Sequence, residues 1–150
     1  MELRIEYAEV KRRAELAMWK AARVVGEADG YRRKLLLAVC DDDVYARRVL
    51  FGESLSAMSR KMSGYVCSVA VDESGYTVSL SLPADFRESN VPALLAALTE
   101  YTVDMGLYKW LLDFMPDLAA VRLEEAQNKL IEAKTIISYR SVPPRIEGFI

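Results

Sequence analysis

Chemistry in a polypeptide needs groups that carry protons, hold metals or attack, and here the inventory is short. The chain contains no histidine, which removes the commonest general base and the commonest metal ligand. No Ser-His or Cys-His nucleophile pair can therefore form. What remains is carboxylates, two cysteines and a few basic clusters. Asp41-Asp42-Asp43 invites a reading as a cation site. Adjacent residues point in different directions, however, and calcium loops need ligands at alternate positions around a glycine. The triplet is better suited to an acidic helix start ahead of Val44, where a carboxylate accepts unpaired backbone N–H groups.

Glu100 and Asp104 stand one helical turn apart. Di-metal bundles combine such acids with a histidine three residues on, so this pair reads as polar relief on an apolar helix. Cys40 and Cys67 lack metal-type spacing and read as buried small hydrophobes. A disulfide between them would require an oxidising compartment and a short separation. Arg12-Arg13, Arg32-Arg33-Lys34 and Arg47-Arg48 fall on separate elements with acids nearby, and would touch phosphate only if they converged. The glycines are scattered, without a phosphate-cradling loop or a dinucleotide fingerprint. The expectation is a protein that is not an enzyme, with no catalytic, cofactor-binding or metal-ligating residues.

The elements that would position any site follow from periodicity. At 150 residues, 52% hydrophobic and 28% charged, the chain is sized and composed for one globular domain. Its formal charge of -2 gives no general reason to bind nucleic acid or an anionic membrane. The start of the sequence shows no basic-then-apolar signal pattern. The most apolar stretch is interrupted by Glu100, Asp104, Lys109 and Asp113, short of the roughly 20 apolar residues that a membrane span needs.

The strongest pattern lies in residues 90–140. Leu94, Leu98, Tyr101, Met105, Tyr108, Leu112 and Met115 recur at spacings of four and three, which makes one apolar stripe. Beyond Pro116, the series Ala119, Leu123, Ala126, Leu130, Ala133, Ile137 repeats the rhythm with smaller residues. Two antiparallel helices with large knobs against a small-residue seam are predicted. The first is either the centre of the domain or shared with a neighbouring copy. Asn90 or Ser89 should cap it, with Pro92 in its first turn. On the second, Arg122, Glu124, Glu125, Lys129 and Glu132 read as a solvated outer face, with Glu125 paired to Lys129.

Residues 5–28 predict a first helix with Tyr7, Val10, Ala14 and Ala17 inward. Met18 and Trp19 lie off that stripe and either widen it or meet another subunit. The run 35–40 is a strand or a helical turn, with a short extended connector preferred. A second helix is predicted over 43–62, weakened by Gly52. Residues 65–82 alternate with period two around Asp72-Glu73-Ser74-Gly75, a β-hairpin whose edges are open to strand addition. Residues 141–150, with Pro143-Pro144, should be an extended tail, either a strap on its own domain or an arm to a partner.

The fold expected is thus mainly α (α+β): an antiparallel bundle of about four helices, residues 1–140, with one inserted hairpin. Its proposed contact residues are Trp19, Val66, Tyr76, Val78, Trp110, Val142, Phe149 and Ile150.

Helices with an inserted hairpin resemble the head–tail connector, or neck, proteins of tailed bacteriophages. The similarity is closest from Ala97-Leu98-Thr99-Glu100-Tyr101 through Trp110 and Pro116 to Tyr139-Arg140-Ser141-Val142-Pro143. An apolar helix with aromatics ends near a proline, and a second helix with an Arg-x-x-Pro tail follows. The stretch from Asp42-Asp43 through Met58 to Tyr65 is similar to the acid-capped helix before their hairpin. The resemblance implies a ring-forming homo-oligomer between portal and tail proteins, in the virion or in the bacterial cytoplasm during assembly. It implies nucleic-acid contact no closer than transient DNA passage, no membrane and no cofactor. The alternative is a helical adaptor that takes a peptide or apolar ligand in a groove beside the third helix, with Met58, Met62, Met105 and Met115 making it adaptable.

Overall fold

The computed structural model describes residues 1–25, 55, 57–112 and 115–138. It is mainly helical, with a small antiparallel sheet, an α+β architecture. In chain order the elements are β1 (Glu2–Glu6), α1 (Tyr7–Val25), β2 (Val66–Val71), β3 (Gly75–Leu80), α2 (Val91–Leu111) and α3 (Pro116–Ser138). A 3₁₀ turn, Glu88–Asn90, leads into α2. Residues 57–61 are helical, the described end of the helix predicted over 43–62. The 35–40 run, Cys40, the acidic triplet, the basic clusters at 32–34 and 47–48, and Val142, Phe149 and Ile150 lie outside the described residues.

The first correction concerns the N-terminus. Residues 2–6 form a strand, and the helix starts at Tyr7 rather than Ile5. Leu3 and Ile5 alternate with Glu2, Arg4 and Glu6, which puts two aliphatic side chains on one face and three charges on the other. The hairpin is therefore not alone: the sheet order is β1-β3-β2, with Leu3 opposite Val78 and Ile5 opposite Tyr76. Because β3 has a neighbour on each side, the edges left unpaired among the described residues are the outer ones of β1 and β2.

Gly75 marks where β1 crosses closest. A Cβ there would stand 2.2 Å from the Ile5 carbonyl oxygen, so only glycine fits. Above it, the Asp72 Oδ1 atom accepts from the backbone N–H of Ser74 at 2.8 Å and of Gly75 at 3.1 Å. Arg4 holds the same carboxylate as a fork, through Nη1 to Oδ2 at 2.6 Å and Nη2 to Oδ1 at 2.7 Å. That contact, with the hydrogen bonds from Ser74, lowers the Asp72 pKa from its ordinary value.

The second correction is a bulge in β2. Val66 faces Leu80 and Ser68 faces Ser79, so Cys67 is the extra residue, and beyond it Val69 faces Val78. The inward phase thus changes from even to odd numbers. Val66 is half-buried against the core, whereas Ser68 and Ala70 are exposed. Cys67, expected inside, is an exposed free thiol.

The inner face of the sheet joins α1 and α2 around one core. Ile5, Tyr76 and Val78 meet Val10, Ala14 and Met18 from α1 and Leu98, Tyr101 and Leu107 from α2. Met18 belongs to this core, whereas Trp19 stays 46% exposed. Helix α2 is the centre of the domain: Leu94, Leu98, Leu107 and Leu111 are fully buried within the single chain. The expected stripe holds through Leu94, Leu98 and Tyr101, but beyond it the buried positions are Leu107 and Leu111, while Met105, Tyr108 and Met115 are half-buried and Leu112 is exposed. Asn90 occupies the N-cap position without a side-chain cap bond, and Pro92 sits in the first turn.

Helix α3 returns antiparallel from Pro116 itself. Ala119, Ala126 and Ala133 are buried at the seam, as the large-against-small spacing requires. No helix among the described residues is long and apolar enough to cross a membrane.

Candidate functional site

A groove lies among the described residues where α1 and α3 flank α2. Glu9 and Arg13 share a shallow pocket with Leu95, Ala96 and Thr99, and further on Ala17 and Lys20 share the main groove with Val103 and Asp104. The α1 and α2 helices thus run in one direction and α3 in the other. The groove encloses about 520 Å³ and is lined by Arg12, Arg13 and Lys20 from α1, Glu100 and Asp104 from α2, and Arg122, Glu125 and Lys129 from α3. Leu16, Ala17 and Val103 supply its apolar middle.

Spacing explains this gathering. Residues 122, 125 and 129 fall on one face of α3, and residues 100 and 104 on one face of α2. At one end, the Glu100 carboxylate receives Arg13 Nη1 at 3.2 Å and Lys129 Nζ at 2.8 Å, tying all three helices together. Arg13 also donates to Glu9 at 2.8 Å, and Arg12 to the same acid at 2.7 Å. The two guanidiniums, Arg12 first, hold the Glu9 carboxyl down at about 2. Glu100, ahead of Glu132, raises the Lys129 pKa.

At the other end Arg122 Nη1 donates to Asp104 Oδ1 at 3.2 Å. Asp104 is only 7% exposed, and burial pushes its pKa up to about 6 against the opposing pull of Arg122. Asp104 is thus a buried carboxylate held by a long ion pair to Arg122.

This site departs from expectation. Arg122 and Lys129 turn inward to α2 rather than covering a solvated face, and the close partners of Lys129 are Glu100 and Glu132 instead of Glu125. Glu100 and Asp104 are cross-helix anchors rather than isolated polar relief. The methionine groove does not form as predicted, since Met58 and Met62 are fully buried in the core. Of the proposed contact residues, Tyr76 and Val78 are completely buried, because the inward phase of β3 places them under the helices. Val66 and Trp110 are half-buried and Trp19 exposed, on different parts of the domain. Sequence reasoning missed the groove because a helical wheel shows which charges share a face, not which helix stands opposite.

Among the described residues, no group of three or more histidine, cysteine or acidic side chains is placed to hold a metal ion. Searches of protein-family models, curated proteins and solved structures returned no match to this chain.

Proposed function

We propose that this chain is a non-enzymatic structural protein of phage or prophage virion assembly, a ring-forming component of the head–tail connector kind that its sequence resembles. The observation that supports the reading is the outer edge of β2. Natural edge strands are protected by lysine, proline or inward charges. The six residues Val-Cys-Ser-Val-Ala-Val of β2 carry none of these, and Val71 is 60% exposed. The bulge at Cys67 interrupts the Val66 end, leaving residues 68–71 as the pairing segment. A ring needs two different patches that meet heterologously. The edge is one; exposed Trp19, Val121 and Ile131 offer apolar surface for the other.

Light scattering with electron microscopy tests this. The purified chain is expected to have a multi-subunit mass and form rings. Val71→Lys or Ala70→Pro should lower the mass while circular dichroism keeps its helical signal. Deleting residues 142–150 should do the same if the tail is the reciprocal arm. A chain that is monomeric at high concentration would defeat the proposal.

A further inference from the structure

Resting on the assembly reading above, we propose that the surface answering the β2 edge is the outer edge of β1 in the next copy. The two strands join as a parallel pair, with Val69 beside Leu3 and Val71 beside Ile5. Trp19, Val121 and Ile131 add apolar contact to a ring, but only another backbone satisfies the N–H and C=O groups of an open edge. Both β1 and β2 run antiparallel to β3, so they run parallel to each other. A head-to-tail repeat keeps strand direction, and the joint it makes between β2 and the next β1 is therefore parallel.

The hydrogen-bond phase of the sheet fixes the register. Ser74 and Leu80 bond toward β1: Tyr7 N–H donates to the Ser74 carbonyl at 2.8 Å, and Leu80 N–H to the Met1 carbonyl at 2.7 Å. Gly75 bonds toward β2, its carbonyl accepting from Asp72 N–H at 3.0 Å. In an antiparallel ladder each residue turns both backbone groups to one side, and its neighbours turn theirs to the other. The groups of Val69 and Val71 therefore point away from β3, as do those of Glu2, Arg4 and Glu6. A parallel pair needs this odd–even offset, because a residue bonds the two that flank its opposite number. Val69 then donates to the Glu2 carbonyl of the next copy and accepts from its Arg4 N–H. Val71 donates to the Arg4 carbonyl and accepts from Glu6 N–H.

The side chains agree with that register. Val69 and Val71 stand in the same rows as buried Val78 and Tyr76, yet Val71 is exposed. Leu3 and Ile5 occupy those rows on β1, so the joint continues one apolar inner face and covers Val71. Slips come only in steps of two, so the helices of every copy stay on one side of the sheet. On the outer face the small side chains of Ser68 and Ala70 leave room for Glu2 and Arg4. Glu6 and Asp72 meet at the end of the joint, and in each copy Arg4 already holds both, at 3.1 and 2.6 Å. Pairing β1 with β1 in full overlap would instead set Arg4 against Arg4 and Glu2 against Glu6. Pairing β2 with β2 makes a closed two-fold dimer and leaves β1 open.

The test is disulfide trapping in the full chain, with Glu2→Cys and Ser68→Cys together in a Cys40→Ser, Cys67→Ser background. Within one chain these two positions flank Ser79 from opposite sides. They stand two strand spacings apart, roughly 10 Å, too far for a disulfide. Mild oxidation should give a ladder of covalent multimers from the double variant, dimers from a mixture of the two single variants, and neither from one alone. Ala70→Cys in the same background reports β2–β2 pairing and should stay monomeric on a non-reducing gel. Amide hydrogen exchange reads the unmodified chain: Arg4, Glu6, Val69 and Val71 should exchange at least about tenfold more slowly in the oligomer than in the chain diluted to monomer. The joint is overturned by an oligomeric double variant with unchanged circular dichroism and no ladder, by an Ala70→Cys dimer, or by protection confined to Val69 and Val71. Mass by light scattering is read separately, so these results are distinguishable from a monomer at high concentration, which would overturn the assembly reading and the joint together.

Discussion

The Tyr76 hydroxyl meets the Thr102 hydroxyl at the buried junction of β3 and α2. Thr102 Oγ1 donates its own proton to the Leu98 carbonyl at 2.9 Å. The tyrosine is therefore the donor of the pair and the threonine the relay. One polar chain thus runs from the middle strand into the central helix, fixing the depth at which the sheet sits.

Tyr76→Phe should consequently cost about 0.5–1.5 kcal/mol, the net worth of one buried hydrogen bond. Combining it with Thr102→Val should cost less than the two single changes added, because both remove the same hydrogen bond. Urea unfolding of the four proteins measures the coupling, and strict additivity would show the pair to be incidental.

Two glycines make an internal comparison. Gly75→Ala drives a methyl group into the Ile5 carbonyl, which is backbone and cannot rotate away. A loss of about 1–3 kcal/mol is expected, as for other overpacked sites, with faster amide exchange in β1. At Gly64 a methyl group would meet no atom within 4 Å, so Gly64→Ala should be neutral or gain up to about 1 kcal/mol by restricting the unfolded chain.

Asp104 gives a pH dependence of defined sign. Its pKa is about 6 in the folded protein against an ordinary value of 3.8, so the folded state binds the extra proton between those values. This group's contribution to stability therefore improves as pH falls from about 7 to 4 and worsens as pH rises. Glu9 and Asp72, with lowered values, act oppositely, so the useful quantity is wild type minus Asp104→Asn. At pH 7.5 the variant should be more stable, by on the order of 1–3 kcal/mol. The gap should close toward pH 4.5. A less stable variant at pH 7.5 would mean that the Arg122 pair outweighs burial. The facing groups are Arg122 and Glu125 from α3 and Glu100 from its own helix.

Tyr101 is almost wholly buried, its hydroxyl has no hydrogen-bond partner among the described residues, and burial pushes its pKa up to about 12. Tyr101→Phe removes a stranded donor without changing the ring. Thermal unfolding should show no loss, and a gain of up to about 1 kcal/mol.

Much of the scaffold was legible because burial writes itself into spacing. The alanines at 119, 126 and 133 announced a close helix seam, and the alternation through 76, 78 and 80 announced β3. The bulge was illegible because both phases of Val-Cys-Ser-Val-Ala-Val are small or apolar and uncharged, so the alternation does not fix where a one-residue slip occurs. Strand β1 was hidden by its shortness and by the helix directly behind it. The groove was hidden because its ion pairs join residues from three helices, a fact of tertiary placement that no single periodicity carries.

The middle strand has consequences for how the molecule is made. A ribosome releases β1 long before β3 exists, so Leu3 and Ile5 must wait for partners encoded far downstream, whereas β2 and β3 zip locally within microseconds. Sheet completion is thus a late, long-loop closure. Until it happens, β3 offers a vacant flank to any newborn sister chain that arrives first.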